Sequence, residues 1–264
     1  MNKIVLFDMD GTITPPRKPI EKEMVSELWL LDKHYDIGIV TGSDFEYLHQ
    51  QCEDLFKVIY PLYWSIFPCN GTKKYDVTPE STASNKVWEK VYEVDMKKAM
   101  GDDTYNELVS ELLNFQSEIV DNFTSPTSDK IIDITGTFFQ YRGSMLNWCP
   151  IGRSAGTEER SNWVEADNRF SIREQFKSKI LQDPRFACLD VALGGETSFD
   201  IYPKGWDKTY VMRHLSDYNE VYFVGDACHP GGNDYTLYNL LGERAFHTSG
   251  PEQTLEIIEK LIES

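Results

Sequence analysis

Apolar and polar positions along the chain fall into two textures. The run Ile4-Val5-Leu6-Phe7 is short, continuous and apolar, and it stops abruptly at a Gly/Thr/Pro-rich stretch, the pattern of a buried strand. Pro19 marks a helix start, and Ile20, Met24, Leu28 and Leu31 recur at helical spacing, which lays one apolar stripe on a core-facing side. Residues 37–40 read as a second buried strand and residues 45–51 as a short helix. Strand, helix, strand, helix favours a parallel sheet with right-handed crossovers.

The middle differs. Residues 87–100 and 105–119 read as helices, the second with Leu108, Leu112, Phe115 and Ile119 on one side. Residues 131–142 and 145–149 read as a hairpin turning at Gly143-Ser144. Helices near 157–166 and 171–181 then precede strands near 186–192 and 198–202, an antiparallel sheet covered on one face. After Trp206 the first texture returns, with a helix over 207–215, a buried strand at Val221-Tyr222-Phe223-Val224, a Gly-rich loop and a last helix carrying Leu255, Ile258 and Ile262. The expected fold is α/β: a discontinuous parallel-sheet domain over 1–80 and 204–264, interrupted by an α+β domain over 81–203.

Composition narrows the partners. At 264 residues the chain has roughly two domains' worth of sequence, on a prior of ~150 residues each. Against 26 basic residues stand 43 acidic ones, and a net charge of -17 disfavours nucleic acid and anionic lipid surfaces. Five cysteines without a Cys-x-x-Cys pair suggest neither a disulfide framework nor a zinc site. No apolar run approaches the ~18 residues of a membrane span, so a soluble cytoplasmic protein without membrane partners is expected.

Chemistry gathers at the strand ends. Asp8-Met9-Asp10-Gly11-Thr12 stands where the first strand stops, the place where ligands bind in open parallel sheets. Residues two apart on a strand face one way, so Asp8 and Asp10 are expected to face one group, with Gly11 making the exit. Their repulsion calls for a hard divalent cation, best Mg²⁺, with Asp226 as a third carboxylate after the strand ending at Val224. One carboxylate can then attack phosphorus while the other moves the proton on the leaving oxygen. Asn233 and Asp234 are expected in support around the metal and phosphate, Thr41 or Ser43 to bond a phosphoryl oxygen, and Lys208 to hold Asp8 and the phosphate together. The bland alternatives are turn capping by the aspartates, helix capping by Ser43 or Asp44, and a surface lysine. In the middle domain Arg142, Arg153 and Arg160 could converge on a phosphate, and Ser198 and Asp200, two apart on a strand, face one side and suit sugar hydroxyls.

These motifs, in this order, resemble the haloacid dehalogenase superfamily. The likeness sharpens to the eukaryotic phosphomannomutases through Phe7-Asp8-Met9-Asp10-Gly11-Thr12 with Pro16-Arg17, Gly42-Ser43-Asp44-Phe45-Glu46, Met145-Leu146-Asn147, Pro150-Ile151-Gly152-Arg153-Ser154, Glu158-Glu159-Arg160, Ser198-Phe199-Asp200, Gly205-Trp206-Asp207-Lys208 and Pro230-Gly231-Gly232-Asn233-Asp234. The resemblance implies a Rossmann-like core with a mobile cap that makes a homodimer. It implies interconversion of mannose 6-phosphate and mannose 1-phosphate through an aspartyl phosphate on Asp8, primed by a hexose 1,6-bisphosphate and feeding GDP-mannose synthesis. Arg17, Thr41, Ser43, Arg142, Asn147, Arg153, Arg160, Ser198 and Asp200 would then bind substrate. A sugar-phosphate phosphatase is the alternative on the same nucleophile, and a non-catalytic phosphosugar-binding protein a remoter one. Ala227 and Cys228 stand where the family has Lys-Thr, Cys69 where it has Glu, and Thr41 where Gly is usual.

Overall fold

A computed structural model describes residues 2–57, 64–78, 87–124 and 132–263. In chain order it runs β1 (Lys3–Phe7), α1 (Lys22–Leu31), β2 (Asp36–Val40), α2 (Phe45–Gln51), α3 (Glu53–Phe56), β3 (Ser65–Phe67), β4 (Lys73–Val77) and β5 (Trp88–Glu93). Next come α4 (Met96–Met100), α5 (Asp102–Phe123), β6 (Phe139–Tyr141), β7 (Leu146–Trp148), α6 (Thr157–Phe170), α7 (Ile172–Gln182), β8 (Leu189–Gly194) and β9 (Ser198–Pro203). A 3₁₀ helix, Lys208–His214, leads to β10 (Glu220–Gly225), α8 (Tyr235–Leu241), β11 (Ala245–His247) and α9 (Pro251–Glu263).

The chain divides into two compact units, one of Met1–Glu93 with Trp206–Ser264 and one of Val94–Gly205. The first holds a seven-stranded sheet in the order β11-β10-β1-β2-β3-β4-β5, parallel from β11 to β3 and antiparallel at β4 and β5. Its parallel strands read as unbroken apolar runs because both faces are covered. On β1, Val5 and Phe7 enter the core that includes Leu28, Leu31 and Ile258, whereas Ile4 and Leu6 enter the opposite one with Val211, Phe223 and Leu237. Gly38 on β2 is required by packing, since a Cβ there would lie 2.6 Å from Leu6 Cδ2.

The second unit carries the antiparallel sheet β6-β7-β9-β8. Helix α5 buries Tyr105, Leu108, Leu112, Phe115 and Ile119, the expected stripe with Tyr105 added. Asp102 and Asp103 in its first turn complement the helix dipole. At the centre Trp148 stacks on Phe199 with centroids 4.6 Å apart. Its indole N–H donates to Gln116 Oε1 at 2.9 Å, and Gln116 Nε2 donates to Pro150 O at 2.9 Å, so these buried polar atoms are satisfied as a chain.

Several elements differ from the sequence reading. The helix expected over 87–100 is β5 followed by α4: Trp88, Val91 and Tyr92 favour extended backbone, and pairing with β4 settles it. That pairing also keeps residues up to Glu93 with the first unit, where the sequence began the inserted domain at 81. The strand expected over 131–142 is confined to β6, Ile131 lying outside the described residues. The strand expected from 186 begins at Leu189, because Asp183 caps a 3₁₀ turn at Pro184–Phe186, and the helix over 207–215 is 3₁₀. Strands β3, β4 and β11 and helix α8 were not anticipated; three to seven residues each is too short for a period to show.

Gln116→Leu should destabilise the protein by about 1–3 kcal/mol in denaturant unfolding, because it strands the buried Trp148 indole N–H and Pro150 carbonyl. Adding Trp148→Phe should return part of that loss, giving a non-additive double-mutant cycle.

Candidate active site

The site begins where β1 runs out. The backbone N–H of Asp8 donates to Val224 O on β10 at 2.9 Å, tying the two strand ends together. The chain then knots: the N–H groups of Thr12, Ile13 and Thr14 all return to Met9 O, at 3.2, 3.0 and 3.0 Å. Gly11 stands at φ +80°, and a Cβ on it would lie 2.5 Å from Asp226 Oδ2. The glycine therefore both turns the chain and admits the carboxylate that ends β10.

Asp234 comes in from the loop after β10, its Oδ2 accepting from the Ala227 N–H at 3.0 Å. A Cβ on Gly225 would sit 2.7 Å from that oxygen, and one on Gly232 would sit 2.0 Å from Ala227 O, so the loop closes only over glycines. Lys208 is fully buried. Its ammonium donates to Asp8 Oδ1 at 2.5 Å and also to Asp234 Oδ1. Asp207 fixes the start of the 3₁₀ helix that carries it, Oδ1 accepting from the Thr209 N–H at 2.8 Å.

Ligand oxygens of Asp8, Asp226 and Asp234 lie within 4.8 Å of one another. Three carboxylates against one ammonium leave two negative charges uncompensated. Burial, then the Asp234 charge, push the Asp8 carboxyl well above its ordinary range despite Lys208. Burial and Asp234 raise Asp226 in the same way. For Lys208 burial is the largest influence and opposes the charge, yet Asp234 and Asp8 together hold its pKa above the ordinary lysine range. A hard all-oxygen donor set short of two positive charges fits a divalent cation. Both oxygens of Asp234 are engaged, by Lys208 and by Ala227, so Asp8 and Asp226 are the side chains placed to hold it.

Asp10 is arranged otherwise than the alternation argument expects. Regular strand ends at Phe7, and in the knot beyond it Asp10 Oδ1 accepts from the Arg17 N–H at 3.0 Å and the Tyr47 hydroxyl at 3.3 Å. The three-carboxylate cluster contains Asp234, expected only in support, and not Asp10. Burial raises the Asp10 carboxyl, against hydrogen bonds from Arg17 and Tyr47. Arg17 reaches Asp10 by its backbone N–H, and its side chain is exposed. Thr41 is buried and accepts the Ser43 N–H on Oγ1 at 3.1 Å. Capping of α2 falls to Asp44, which accepts the Phe45 N–H at 2.8 Å and pairs with the buried Lys73, while Ser43 is half-buried beside Thr41. Asn233 is half-buried next to Asp234. Tyr47, Asn70 and Lys73 were not anticipated as neighbours of these groups; only Asn70 had a signal, the Asn-Gly turn pair.

The second unit builds its own polar cluster. Asp200 Oδ1 accepts from Asn147 Nδ2 at 2.8 Å and from Arg142 Nη1 at 3.3 Å, and Asn147 Oδ1 accepts from Arg153 Nη1 at 2.9 Å. A Cβ on Gly194 would lie 2.8 Å from Asp200 Oδ2 and 3.5 Å from Ser198 Cβ, so Ser198 and Asp200 share a face. Arg153 is aimed by a loop threaded so closely that a Cβ on Gly152 would come 2.4 Å from Gly136 N. Arg160 binds Ala155 O at 3.0 Å and Thr197 Oγ1 at 2.9 Å, one residue from Ser198.

A parallel sheet ending in a carboxylate–lysine cluster, in a chain interrupted by an antiparallel-sheet unit, is the fold of the haloacid dehalogenase type. It is similar to IMP-bound Plasmodium falciparum IMP-nucleotidase, TM-score 0.60 at 15% identity over 100% of this chain and 68% of that one. It is also similar to a trehalose-6-phosphate phosphatase related protein, TM-score 0.50 at 13% identity over 98% and 97% of the two chains. Within that class the chain belongs to the eukaryotic phosphomannomutase family, whose model matches residues 24–264. It is 34% identical over 253 residues to the phosphomannomutase of Dendrobium officinale, covering 96% of this chain and 91% of that one. To the phosphomannomutase of Arabidopsis thaliana it is 34% identical over 254 residues, covering 96% and 93%.

A divalent cation should raise the melting temperature relative to protein in excess chelator, by relieving the carboxylate repulsion. Asp226→Asn should remove most of that rise in scanning calorimetry. An undiminished rise in the variant would place the ion elsewhere.

Proposed function

We infer that this chain is a phosphomannomutase, interconverting mannose 6-phosphate and mannose 1-phosphate with Asp8 as phosphate carrier. The observation that carries the reading is the buried Lys208 ammonium shared by Asp8 and Asp234 beside Asp226, at the ends of β1 and β10 in a chain of the phosphomannomutase family.

In this reading an Asp8 oxygen attacks phosphorus of a hexose 1,6-bisphosphate, the bond from phosphorus to the sugar oxygen breaks, and Asp10 gives its proton to that oxygen. Burial raises the Asp10 carboxyl, the direction a proton donor needs. The phosphate then passes from Asp8 to the free hydroxyl of mannose 6-phosphate, whose proton returns to Asp10; the bisphosphate so formed reorients, and Asp8 reclaims phosphate from its other end, releasing mannose 1-phosphate as Asp10 returns its proton to the freed oxygen. Lys208 neutralises Asp8 for the approach of an anion, and the hydroxyls of Thr41 and Ser43 donate to phosphoryl oxygens. Asp8 and Asp226 would hold Mg²⁺, which when bound supplies positive charge against the phosphoryl oxygens. Arg142, Arg153 and Arg160 are assigned to the phosphate that is not transferred, Ser198 and Asp200 to sugar hydroxyls, and Arg17 and Asn147 to substrate binding. Fork-shaped guanidinium donors set by Asn147 and Asp200 support that assignment.

We extend the proposal to a homodimer formed through the inserted unit, supported by Leu113 and Val120, 53% and 36% exposed at a seven-residue spacing on α5. Supply of mannose 1-phosphate for GDP-mannose synthesis in the cytoplasm fits five free thiols. Among the described residues no helix is long and apolar enough to cross a membrane.

Incubation of mannose 6-phosphate with a trace of glucose 1,6-bisphosphate and Mg²⁺ should yield hexose 1-phosphate. Inorganic phosphate without hexose 1-phosphate would instead identify a phosphatase. Asp8→Asn should abolish both reactions with an unchanged circular dichroism spectrum, and retained turnover would remove Asp8 as nucleophile.

A further inference from the structure

The turn after β3 is strained. Cys69, Asn70 and Gly71 stand at φ 51°, 65° and 86°, three left-handed residues in a row. Glycine accepts this freely and asparagine tolerates it, but cysteine does not, so the conformation persists only where the surroundings over-determine it. Those surroundings are the two loops that flank the nucleophile's partners. On one side the Cys69 and Asn70 N–H groups donate to Ser43 O at 2.9 Å and Thr41 O at 2.8 Å. On the other, Asn70 Nδ2 donates to Trp206 O at 3.2 Å, two residues before Lys208. His214 Nε2 donates to Gly71 O at 2.8 Å, at the far end of the same 3₁₀ helix. That helix also packs directly on Gly71, where a Cβ would lie 2.8 Å from Val211 Cα.

We propose that Asn70 is a positioning residue for phosphoryl transfer, a bracket that sets the loop carrying Lys208 against the Thr41–Ser43 loop. The proposal rests on the reading above, in which both loops serve the phosphate on Asp8. The choice of side chain supports it. Asn70 is buried, and its Oδ1 has no hydrogen-bond partner among the described residues. A glycine would satisfy the backbone without leaving that oxygen stranded, so turn-making alone does not explain an asparagine. The amide N–H₂ does, because it is the group that reaches Trp206. With the bracket absent, Lys208 keeps its charge and its two carboxylates, but the entry to its helix is no longer fixed from the hydroxyl loop, and small misplacements weigh on the chemical step more than on binding.

Two variants separate bracket from turn. Asn70→Asp keeps size and tolerance of the left-handed region but sets a carboxylate against the Trp206 carbonyl, and Asn70→Gly keeps the backbone and removes the bracket. Each should lower kcat roughly tenfold, the effect of one lost hydrogen bond, with KM for the hexose phosphate within about twofold of native. Asn70→Gly should melt close to the native temperature. A native kcat in either variant, or a kcat loss in Asn70→Gly that travels with a fall in melting temperature, overturns the proposal. A second readout needs no turnover: nitrogen-15 NMR of lysine-labelled protein should show a slowly exchanging Lys208 ammonium in the native chain and faster exchange in both variants. If the native chain fails to interconvert the sugar phosphates, the phosphomannomutase reading falls while this measurement still decides the bracket, and an unchanged ammonium resonance in both variants rejects it.

Discussion

A fully buried ammonium, that of Lys208, holds the first unit's chemistry in place. Removing such an ion from water costs several kcal/mol, and only partners of opposite charge at hydrogen-bonding distance offset it. Asp8 and Asp234 are those partners, and they come from the end of β1 and the loop after β10, far from Lys208 in the chain. Neither could be lost without stranding the lysine, and the lysine could not be lost without setting buried carboxylates against one another. The arrangement is therefore a constraint on three segments at once. It makes the fold and the placement of the Asp8 carboxylate interdependent.

The glycines follow from that constraint. Gly11, Gly225 and Gly232 each stand where a methyl group would collide with a site carboxylate or its loop, so the cluster is as compact as backbone alone permits. In the sequence Gly11 reads as the exit from a strand and Gly232 as room for backbone N–H groups to approach an anion. Their close-approach role depends on which carboxylate comes near, and that is a tertiary fact. Asp10 shows the same limit. A two-residue alternation is a property of extended backbone, and the chain stops being extended at Phe7, so the step from spacing to shared direction fails where the chemistry starts. Asp234 was visible as a polar residue in a Gly-rich loop, but its exchange of places with Asp10 in the cluster was not.

Elsewhere legibility tracked the length and clarity of the apolar period. β1, β2, β10 and the α5 stripe were readable, because parallel strands buried on both faces give unbroken apolar runs and a long amphipathic helix repeats its signal. β5 was not: a helix period could be laid over 87–100, and pairing with β4 overrode it. The short strands β3 and β11 offered three residues each, fewer than any period needs. The positions of Asp8 and Asp226 were readable for the same reason as β1 and β10, because a strand end is fixed by where the apolar run stops.

The two units organise their polar groups differently within a chain of net charge -17. In the first, three carboxylates crowd one ammonium, so the cluster is short of positive charge. In the second, Arg142 donates to Asp200 and Arg153 to Asn147, whose neutral amide in turn donates to Asp200. Those hydrogen bonds orient the guanidinium groups in advance, so less side-chain entropy remains to be lost when they take up a partner. The two clusters thus differ in kind: the first is held by opposite charges drawn from separate segments of the chain, the second by hydrogen bonds through a neutral amide on one sheet.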